Sequence, residues 1–467
     1  MQYHINTYGC QMNYSDTERI ETYLNQLGFT KSTNEEDANL IIFNSCSVKK
    51  KAEDKVLGKM KNLKKIKKQR PGLILALTGC MVRKSSTKKS ERETQDKYIK
   101  KIEQLDIAFR IEDLPKLKSL IKQAAPKTKS LEKIQDELLE DYFHIKPSHA
   151  SKAQVFIPIS TGCDKFCTYC IVPRSRGRET SRHPDDILQE AKEAVEAGCL
   201  EITLLGQTVD SYGLSQIDRQ RKLFDYTRID SEQDPPPFVQ LLQRIDELHK
   251  KGLKRLRFTS PHPKDVSPHL IKSYAELETL MPHIHLPVQS GDNNCLQRMN
   301  RPYTRERYME IVHGLRKARP DIAITTDMIV GFCDESKEEY ANTVDLYKEA
   351  DFDFCYISRY STRKGTFADK NLDDNITNEE KAKRWHQLND LMREITQKKL
   401  EQYVGKTLEV LVEEFEPAAD PTNSIYRGKC KHLKTVQFES SETNLKGTLQ
   451  KIRIDRAESW MLFGEIA

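Results

Sequence analysis

Short apolar strands separated by amphipathic helices run along most of this chain, and that alternation narrows the possible folds more than any other feature. Within residues 1–121, HINTYGC, LIIFNSC and LILALTGC read as strands. SDTERIETYLNQLGF reads as a helix between the first two, with Ser15 and Glu18 at capping-box spacing and Gly28 near its stop. A Lys-rich helix over 49–70 ends at Pro71-Gly72. Buried strands joined by helices imply a parallel sheet with helices on its faces. The rhythm resumes at Val155, where VFIPIS, EITLLG, RLRFTS, HIHLPVQ, IAITTDMIVG and FCYISRY are six strand candidates. Helices such as HPDDILQEAKEAVEAG and TRERYMEIVHGLRKAR lie between them. That pattern predicts a barrel or part of one. After the helix KAKRWHQLNDLMREITQKKLEQYV and Gly405, the short strands TLEVLVEE, IYRGKC, TVQFE and LQKIRIDRAESWMLFGEIA predict a small all-β barrel.

The expected organisation is therefore a parallel-sheet domain over 1–121, a linker over 122–148 carrying the helix LEKIQDELLEDYF, a core over 149–398 and a barrel over 400–467. A length of 467 residues suits about three domains. The polar stretch 83–98 and the segment 214–237, which ends in three prolines, read as loops or insertions. The longest apolar run, LILALTGCMV at 73–82, is far short of the roughly 20 residues a membrane span needs. The opening MQYHINTYGCQ lacks the blocks of a secretory signal, so a cytoplasmic protein with no membrane partner is expected.

Eleven cysteines are many for a reducing compartment, where metal binding or catalysis explains clusters better than disulfides. Cys10, Cys46 and Cys80 each end one of the three N-terminal strands. The carboxyl ends of parallel strands share one crevice, so three residues distant in sequence should meet there. Cys163, Cys167 and Cys170 form a second set, with three and two residues between them, just after the first strand of the core. A structural zinc takes four ligands, and no His or Cys lies within ten residues after Cys170. Three thiolates suit a four-iron cluster whose fourth iron stays open for a ligand. Cys199, Cys295, Cys333, Cys355 and Cys430 fit no ligand spacing and read as buried small residues. The block Lys49 to Arg70 holds eleven Lys or Arg against Glu53 and Asp54, and is a candidate polyanion contact or simply a solvated helix face.

CDKFCTYC resembles the C-x3-C-x2-C motif of radical S-adenosylmethionine enzymes. TYGCQMNYSDTERI, NSCSVKKKAEDK and LTGC narrow the resemblance to the methylthiotransferases of that family. CTYCIVPRSRGRE, LLGQTVDSYG, FTSPHPKD, HIHLPVQSGDNNCLQRMNRPYT, TTDMIVGF and YSTRKGT are similar to their radical domain, and the tail from about 400 to a TRAM domain, a small RNA-binding barrel. GCQMN with GQTVDSY resembles the type acting on isopentenyl-adenosine in tRNA. The chain departs from the usual pattern at Thr208 and Asp210, at Arg174, and at Cys333-Asp334, where Pro-Gly is common.

The resemblance implies an α/β enzyme with a partial (β/α) radical barrel and a C-terminal TRAM barrel. It implies two [4Fe-4S] clusters, an auxiliary one on Cys10, Cys46 and Cys80 and a radical-generating one on Cys163, Cys167 and Cys170. One S-adenosylmethionine would methylate a sulfur at the auxiliary cluster, and a second would yield the radical that opens the adenine C–H. The two clusters would then face one cavity. Gly206, Gln207, Ile329 and Gly331 are the expected cofactor contacts. The tRNA anticodon stem-loop is the implied partner, held through lysines 49–68 and Arg427, Lys429, Lys431 and Lys434. An electron donor and a sulfur or cluster donor protein are implied as well, acting on a monomer. The alternatives are a methylthiotransferase for threonylcarbamoyl-adenosine or for a ribosomal protein, and a zinc-stabilised RNA-binding protein without catalysis.

Overall fold

The computed structural model describes residues 1–47, 50–83, 86–87, 99, 102–125, 142–149, 151–230, 234–417 and 424–467. Two compact units emerge. One comprises residues 1–150, 161–164 and 170–182; the other comprises 151–160, 165–169 and 183–467.

The first unit is built on a six-stranded sheet of order β2-β1-β3-β4-β6-β5. Its strands are β1 (Gln2–Tyr8), β2 (Thr30–Lys31), β3 (Leu40–Ser45), β4 (Ile74–Gly79), β5 (Ser86–Thr87) and β6 (Ile107–Ala108). All neighbours run parallel except β5, which is antiparallel to β6. Every residue of β3 and β4 is buried, as strands covered on both faces must be. The helices α1 (Gln11–Gln26), α2 (Lys50–Gln69) and α3 (Leu117–Ala124) supply apolar residues to two clusters. One holds Ile20, Leu24, Leu117 and Ile121; the other holds Val56, Met60 and Leu63.

Two local expectations are corrected here. Helix α1 starts at Gln11, with Cys10 as its N-cap, so Ser15 does not cap it. Ser15 lies a turn inside and accepts a hydrogen bond from Arg19 Nη1 at 2.9 Å, a spacing of four that brings the two side chains together. Asn13 takes the capping role, its Oδ1 accepting the Cys10 backbone N–H at 3.2 Å. Of the stretch 83–98, Ser86–Thr87 forms a strand rather than a loop, and residues 88–98 lie outside the described residues. So do residues 131–141 of the expected linker helix; Tyr142–His144 makes one 3-10 turn.

The second unit contains the six expected core strands. They are β7 (Gln154–Pro158), β10 (Glu201–Leu205), β11 (Arg255–Phe258), β12 (His283–His285), β13 (Ala323–Val330) and β14 (Phe354–Arg359). The two-residue strands β8 (Ser160–Thr161) and β9 (Thr180–Ser181) form a separate pair outside these sheets. Two parallel three-stranded sheets result, β11-β10-β7 and β12-β13-β14, linked at a Leu256–Leu280 bridge. This is an open barrel, with helices such as Pro184–Glu196 and Arg305–Ala318 burying Ile187, Val195, Ile311 and Leu315 against it. The segment 214–237 is not a plain loop. Gln216–Gln220 and Tyr226–Asp230 are short helices, the first capped by Ser215, whose side chain accepts the Asp218 N–H. Phe224 anchors the segment edge-on to Tyr212 at 5.8 Å.

The strands β15 (Thr407–Glu416), β16 (Ser424–Cys430), β17 (Thr435–Ser440), β18 (Leu449–Glu458) and β19 (Met461–Ile466) close into a barrel. Two buried arginines of β11 bind it to the core. Arg255 donates to the carbonyls of Lys429 (2.8 Å) and Glu409 (2.9 Å). Arg257 donates to those of Lys431 and Cys430, each at 3.0 Å, and to Glu201 Oε2 at 3.0 Å. Lys434 is buried in an ion pair with Asp353 at 2.6 Å, so it is a docking residue and not a phosphate contact. Removing a partner of a buried ion pair leaves the other charge stranded. Arg257→Ala is thus expected to cost about 3–5 kcal/mol, read from denaturant unfolding of the holoprotein.

Candidate metal centres

In the first unit, β1, β3 and β4 lie side by side with Tyr8, Ser45 and Gly79 in register. Cys46 and Cys80 follow their strands by one residue and Cys10 by two, so the three thiols gather at the carboxyl edge of three adjacent strands. Cys46 N–H still donates to Tyr8 O at 2.8 Å, which holds the crossover tight. Two asparagines lock the edge. Asn13 Nδ2 donates to Asn44 Oδ1 at 3.0 Å, and Asn44 Nδ2 donates to Asn13 O at 2.7 Å. Gly79 sits at φ +83°, and a Cβ there would meet Asn44 Oδ1 and Ser45 O at 2.6 Å, so only glycine lets Cys80 turn into this edge.

A cation answers the thiols. Arg176 is 3% exposed; its Nε donates to Cys80 Sγ at 3.4 Å and its Nη2 to Asp16 Oδ2 at 2.6 Å. Tyr142 donates to the other Asp16 oxygen at 2.6 Å. The hydrogen bond from Cys46 and the Arg176 charge outweigh burial and hold the Cys80 thiol well below its ordinary value. Cys10 is exposed as a residue, but its thiol is crowded. Desolvation, followed by repulsion from Cys80, pushes it up. Arg176, Asp16 and Tyr142 were not foreseen. The run PRSRGRE carries three arginines, and only packing decides that Arg176 is buried while Arg174 and Arg178 are exposed.

The loop 163–170 is divided between the units. In the first, Cys163 N–H donates to Gly177 O at 3.2 Å, and Cys170 Sγ accepts the Val172 N–H at 3.5 Å. Asp164 accepts from Arg178 Nε at 2.6 Å and from Glu179 N at 3.1 Å. In the second, the residues following the Asn293–Arg298 helix clamp the loop. Asn300 Nδ2 donates to Phe166 O at 3.0 Å, and Thr168 N–H donates to Met299 O at 3.1 Å. Arg301, 7% exposed, donates to Cys167 Sγ at 3.5 Å, Pro287 O at 2.8 Å and Tyr303 Oη at 2.8 Å. Burial opposes its charge, yet Tyr303, Tyr169 and Cys167 hold it above the ordinary arginine value.

Of the expected cofactor contacts, Gly206 and Gln207 follow β10 and Ile329 ends in the second sheet, on β13. Gly206 passes so close to Ser160 that a Cβ would lie 2.7 Å from its Oγ. Among the described residues Gln207 Oε1 and Ser160 Oγ are buried without a hydrogen-bond partner. Ile329 packs with Tyr169 of the cysteine loop on a cluster containing Phe332, Cys333 and Tyr360. Gly331 takes φ +69°, but its N–H goes to Glu335 Oε2 at 2.6 Å, so that donor serves the turn. Cys333 is fully buried in the same cluster, and Asp334 adopts φ +58°, held by Asn375 Oδ1 at 3.0 Å from its N–H. The other unassigned cysteines, 199, 295, 355 and 430, are buried too.

The departure at Asp210 has a clear consequence. Its carboxyl oxygens both accept the His262 backbone N–H, at 2.9 and 2.8 Å, in a buried site. Burial, then the nearby Asp265, raises its pKa well above the usual carboxylate range. Neutral His262 accepts the Lys264 N–H on Nδ1, and its Nε2 has no partner among the described residues.

Both donor sets fit an iron–sulfur cluster. Each offers three soft sulfurs, and each has a buried guanidinium donating a hydrogen bond to one of them. Among the described residues no three His, Cys, Asp or Glu are arranged around one metal ion. A four-iron cluster takes one thiolate per iron, so its ligands need not converge on a point.

Residues 157–347 match the radical SAM superfamily, and residues 2–100 match the uncharacterized protein family UPF0004. The fold agrees with a radical S-adenosylmethionine methyltransferase, TsrM from Kitasatospora setae. The match has a TM-score of 0.50 and 12% identity, covering 76% of this chain and 72% of that one. The cobalamin-dependent S-adenosylmethionine radical enzyme OxsB aligns at a TM-score of 0.50 and 15% identity, over 85% of this chain and 56% of that one. The matched superfamily, with which the fold agrees, is that of radical S-adenosylmethionine enzymes. The tRNA-2-methylthio-N(6)-dimethylallyladenosine synthase of Geobacillus kaustophilus is 38% identical over 465 residues, 100% of this chain and 82% of that protein. The synthase of Bacillus subtilis is 37% identical over 465 residues, 100% of this chain and 86% of that protein. The chain belongs to this family of synthases.

A raised carboxyl pKa means that folding is penalised as pH climbs from the unfolded value toward the folded one. Asp210→Asn removes that ionisation. It is expected to raise the melting temperature more at pH 8 than at pH 4, and equal shifts at both would refute the charge argument.

Proposed function

We propose that this chain converts N6-isopentenyl-adenosine beside the tRNA anticodon to its 2-methylthio derivative. The supporting observation is full-length likeness to synthases of that product in a chain whose strand-end thiols form two separate triads. Cys10, Cys46 and Cys80 hold the auxiliary [4Fe-4S] cluster, and Cys163, Cys167 and Cys170 the radical-generating one. When bound, S-adenosylmethionine supplies hydrogen-abstracting radical chemistry and the methyl group, and the auxiliary cluster supplies the sulfur. The chain's own residues prepare the sites. Arg176 balances the Cys80 thiolate while Asp16 and Tyr142 keep the guanidinium aimed. Arg301 fixes Cys167 relative to Pro287 and Tyr303.

Residues 1–121 carry the auxiliary centre, 149–398 the radical core and 400–467 the RNA-binding barrel, joined by 122–148. Gly206, Gln207 and Ile329 remain the cofactor contacts in this reading, with Gly331 shaping the turn. The phosphate contacts are the exposed lysines 51, 55, 61, 65 and 68 of α2. Lys59, Lys64 and Lys67 already pair with Glu35, Glu103 and Asp106. The enzyme works in the cytoplasm as a monomer, served by an electron donor and a sulfur or cluster donor protein. No helix among the described residues is long and apolar enough to cross a membrane.

Replacing Cys10, Cys46 and Cys80 by Ala together should remove about four irons per chain after anaerobic reconstitution. S-adenosylmethionine should still be cleaved to 5′-deoxyadenosine, and no methylthio product should form. The same change at Cys163, Cys167 and Cys170 should abolish cleavage itself. Nucleoside mass spectrometry of tRNA from cells lacking this gene should show isopentenyl-adenosine without its methylthio form. Retention of that form would refute the assignment, and loss of methylthio-threonylcarbamoyl-adenosine instead would name the other substrate.

A further inference from the structure

An exposed aromatic chain joins the RNA-type barrel to the open edge of the core. Strand β14 is the edge of its sheet, and its register places Phe354 beside Thr325 and Tyr356 beside Asp327. His285 pairs with Thr325 from the other side. His285, Thr325, Asp327, Phe354 and Tyr356 therefore share one sheet face, because side chains alternate along a strand. Ile329 is two residues beyond Asp327 on that same face. The face runs on across the barrel junction. Phe354 meets Tyr356 at 4.8 Å and Trp460 at 5.3 Å, at interplanar angles of 70° and 85°. Tyr356 in turn meets His285 at 5.7 Å. Trp460 stands in the turn between β18 and β19, so the chain of rings links the two folds.

Tyr356 is 57% exposed and Trp460 42% exposed. Single exposed aromatics need no explanation, but two that share one half-buried ring form a surface. Its border is polar, with His285, Thr325 and Asp327 along one side. The border groups bond one another, His285 with Thr325 at 3.0 Å and with Asp327 at 3.3 Å, so the rim of the rings is polar and ill-suited to an apolar protein face. An unpaired nucleobase satisfies both parts, with its face on a ring and its edge on the polar border.

We propose that Trp460, Phe354 and Tyr356 form a stacking platform for unpaired bases of the RNA loop, leading from the barrel into the core. This rests on the reading of RNA as substrate. A base extruded for chemistry leaves its loop neighbours unstacked, and an aromatic row replaces the lost stacking.

The test uses the reconstituted holoenzyme and an anticodon-type RNA hairpin, with a duplex of the same stem as control. Trp460→Ala and Tyr356→Ala should each weaken hairpin binding about tenfold and change duplex binding by less than about twofold. Trp460→Phe, which keeps a ring, should restore most of the affinity. The chain has two tryptophans, so in Trp385→Phe the emission comes from Trp460 alone, and the hairpin should quench it. That reading decides the matter if an alanine variant fails to fold. Hairpin binding by the unaltered enzyme, with unaffected alanine variants and unchanged Trp460 emission, would overturn the platform and leave the function standing. Absence of any hairpin binding by the unaltered enzyme would overturn both.

Discussion

Gathering thiols at a sheet edge concentrates negative charge where water is scarce, and a buried cation has to balance it. Arg176 does this for Cys80, and in the cysteine loop Arg301 donates a hydrogen bond to Cys167. A guanidinium suits the task because it is weakly hydrated and has several fixed donors. Each arginine also donates to the frame: Arg176 to Asp16, Arg301 to Pro287 and Tyr303. The sulfur geometry is thereby coupled to the packing around it. The arrangement also explains why the local turns are so constrained. Asn13 and Asn44 bond one another and set the chain around Cys10, while Gly79 yields the space that Asn44 needs.

The second unit spends basic residues differently. Arg255, Arg257 and Lys434 are cationic in the sequence but buried in the junction between core and barrel. They bond carbonyls of the barrel strands or single carboxylates, an interaction that fixes orientation more than it adds stability. Part of the apparent excess of positive charge is therefore structural. The same holds for Lys59, Lys64 and Lys67 on α2, each paired within its own unit. Counting lysines along a helix overstates what remains for phosphates.

Much of the fold was legible because it rests on local pattern. The strands β3 and β4 announce themselves as unbroken apolar runs, and the six core strands recur with helices between them. Positions that depended on a distant neighbour were not legible. Ser15 has capping-box spacing with Glu18, yet Cys10 and Asn13 start the helix, because Asn13 is held by Asn44 from another strand. The segment 214–237 looks like a polar loop, yet Phe224 finds Tyr212 and two short helices form. Asp334 holds a left-handed backbone where glycine would be at ease, because Asn375 bonds it.

The sequence by itself determined the order of strands and helices and the placing of three cysteines at three strand ends. Hydrophobic periodicity sets the first, and parallel connection through helices sets the second, since it brings every carboxyl end to one edge. Tertiary structure decided which charges are buried. Arg176 and Arg174 are two residues apart in one arginine-rich run, and nothing local distinguishes them. One meets Asp16 and Cys80 and is desolvated, and the other meets water. The same distinction separates Lys434 from Lys431, and places Trp460 against Phe354 from a strand more than a hundred residues away. Desolvation depends on the sum of neighbours from every element, and that sum exists only once the chain has folded.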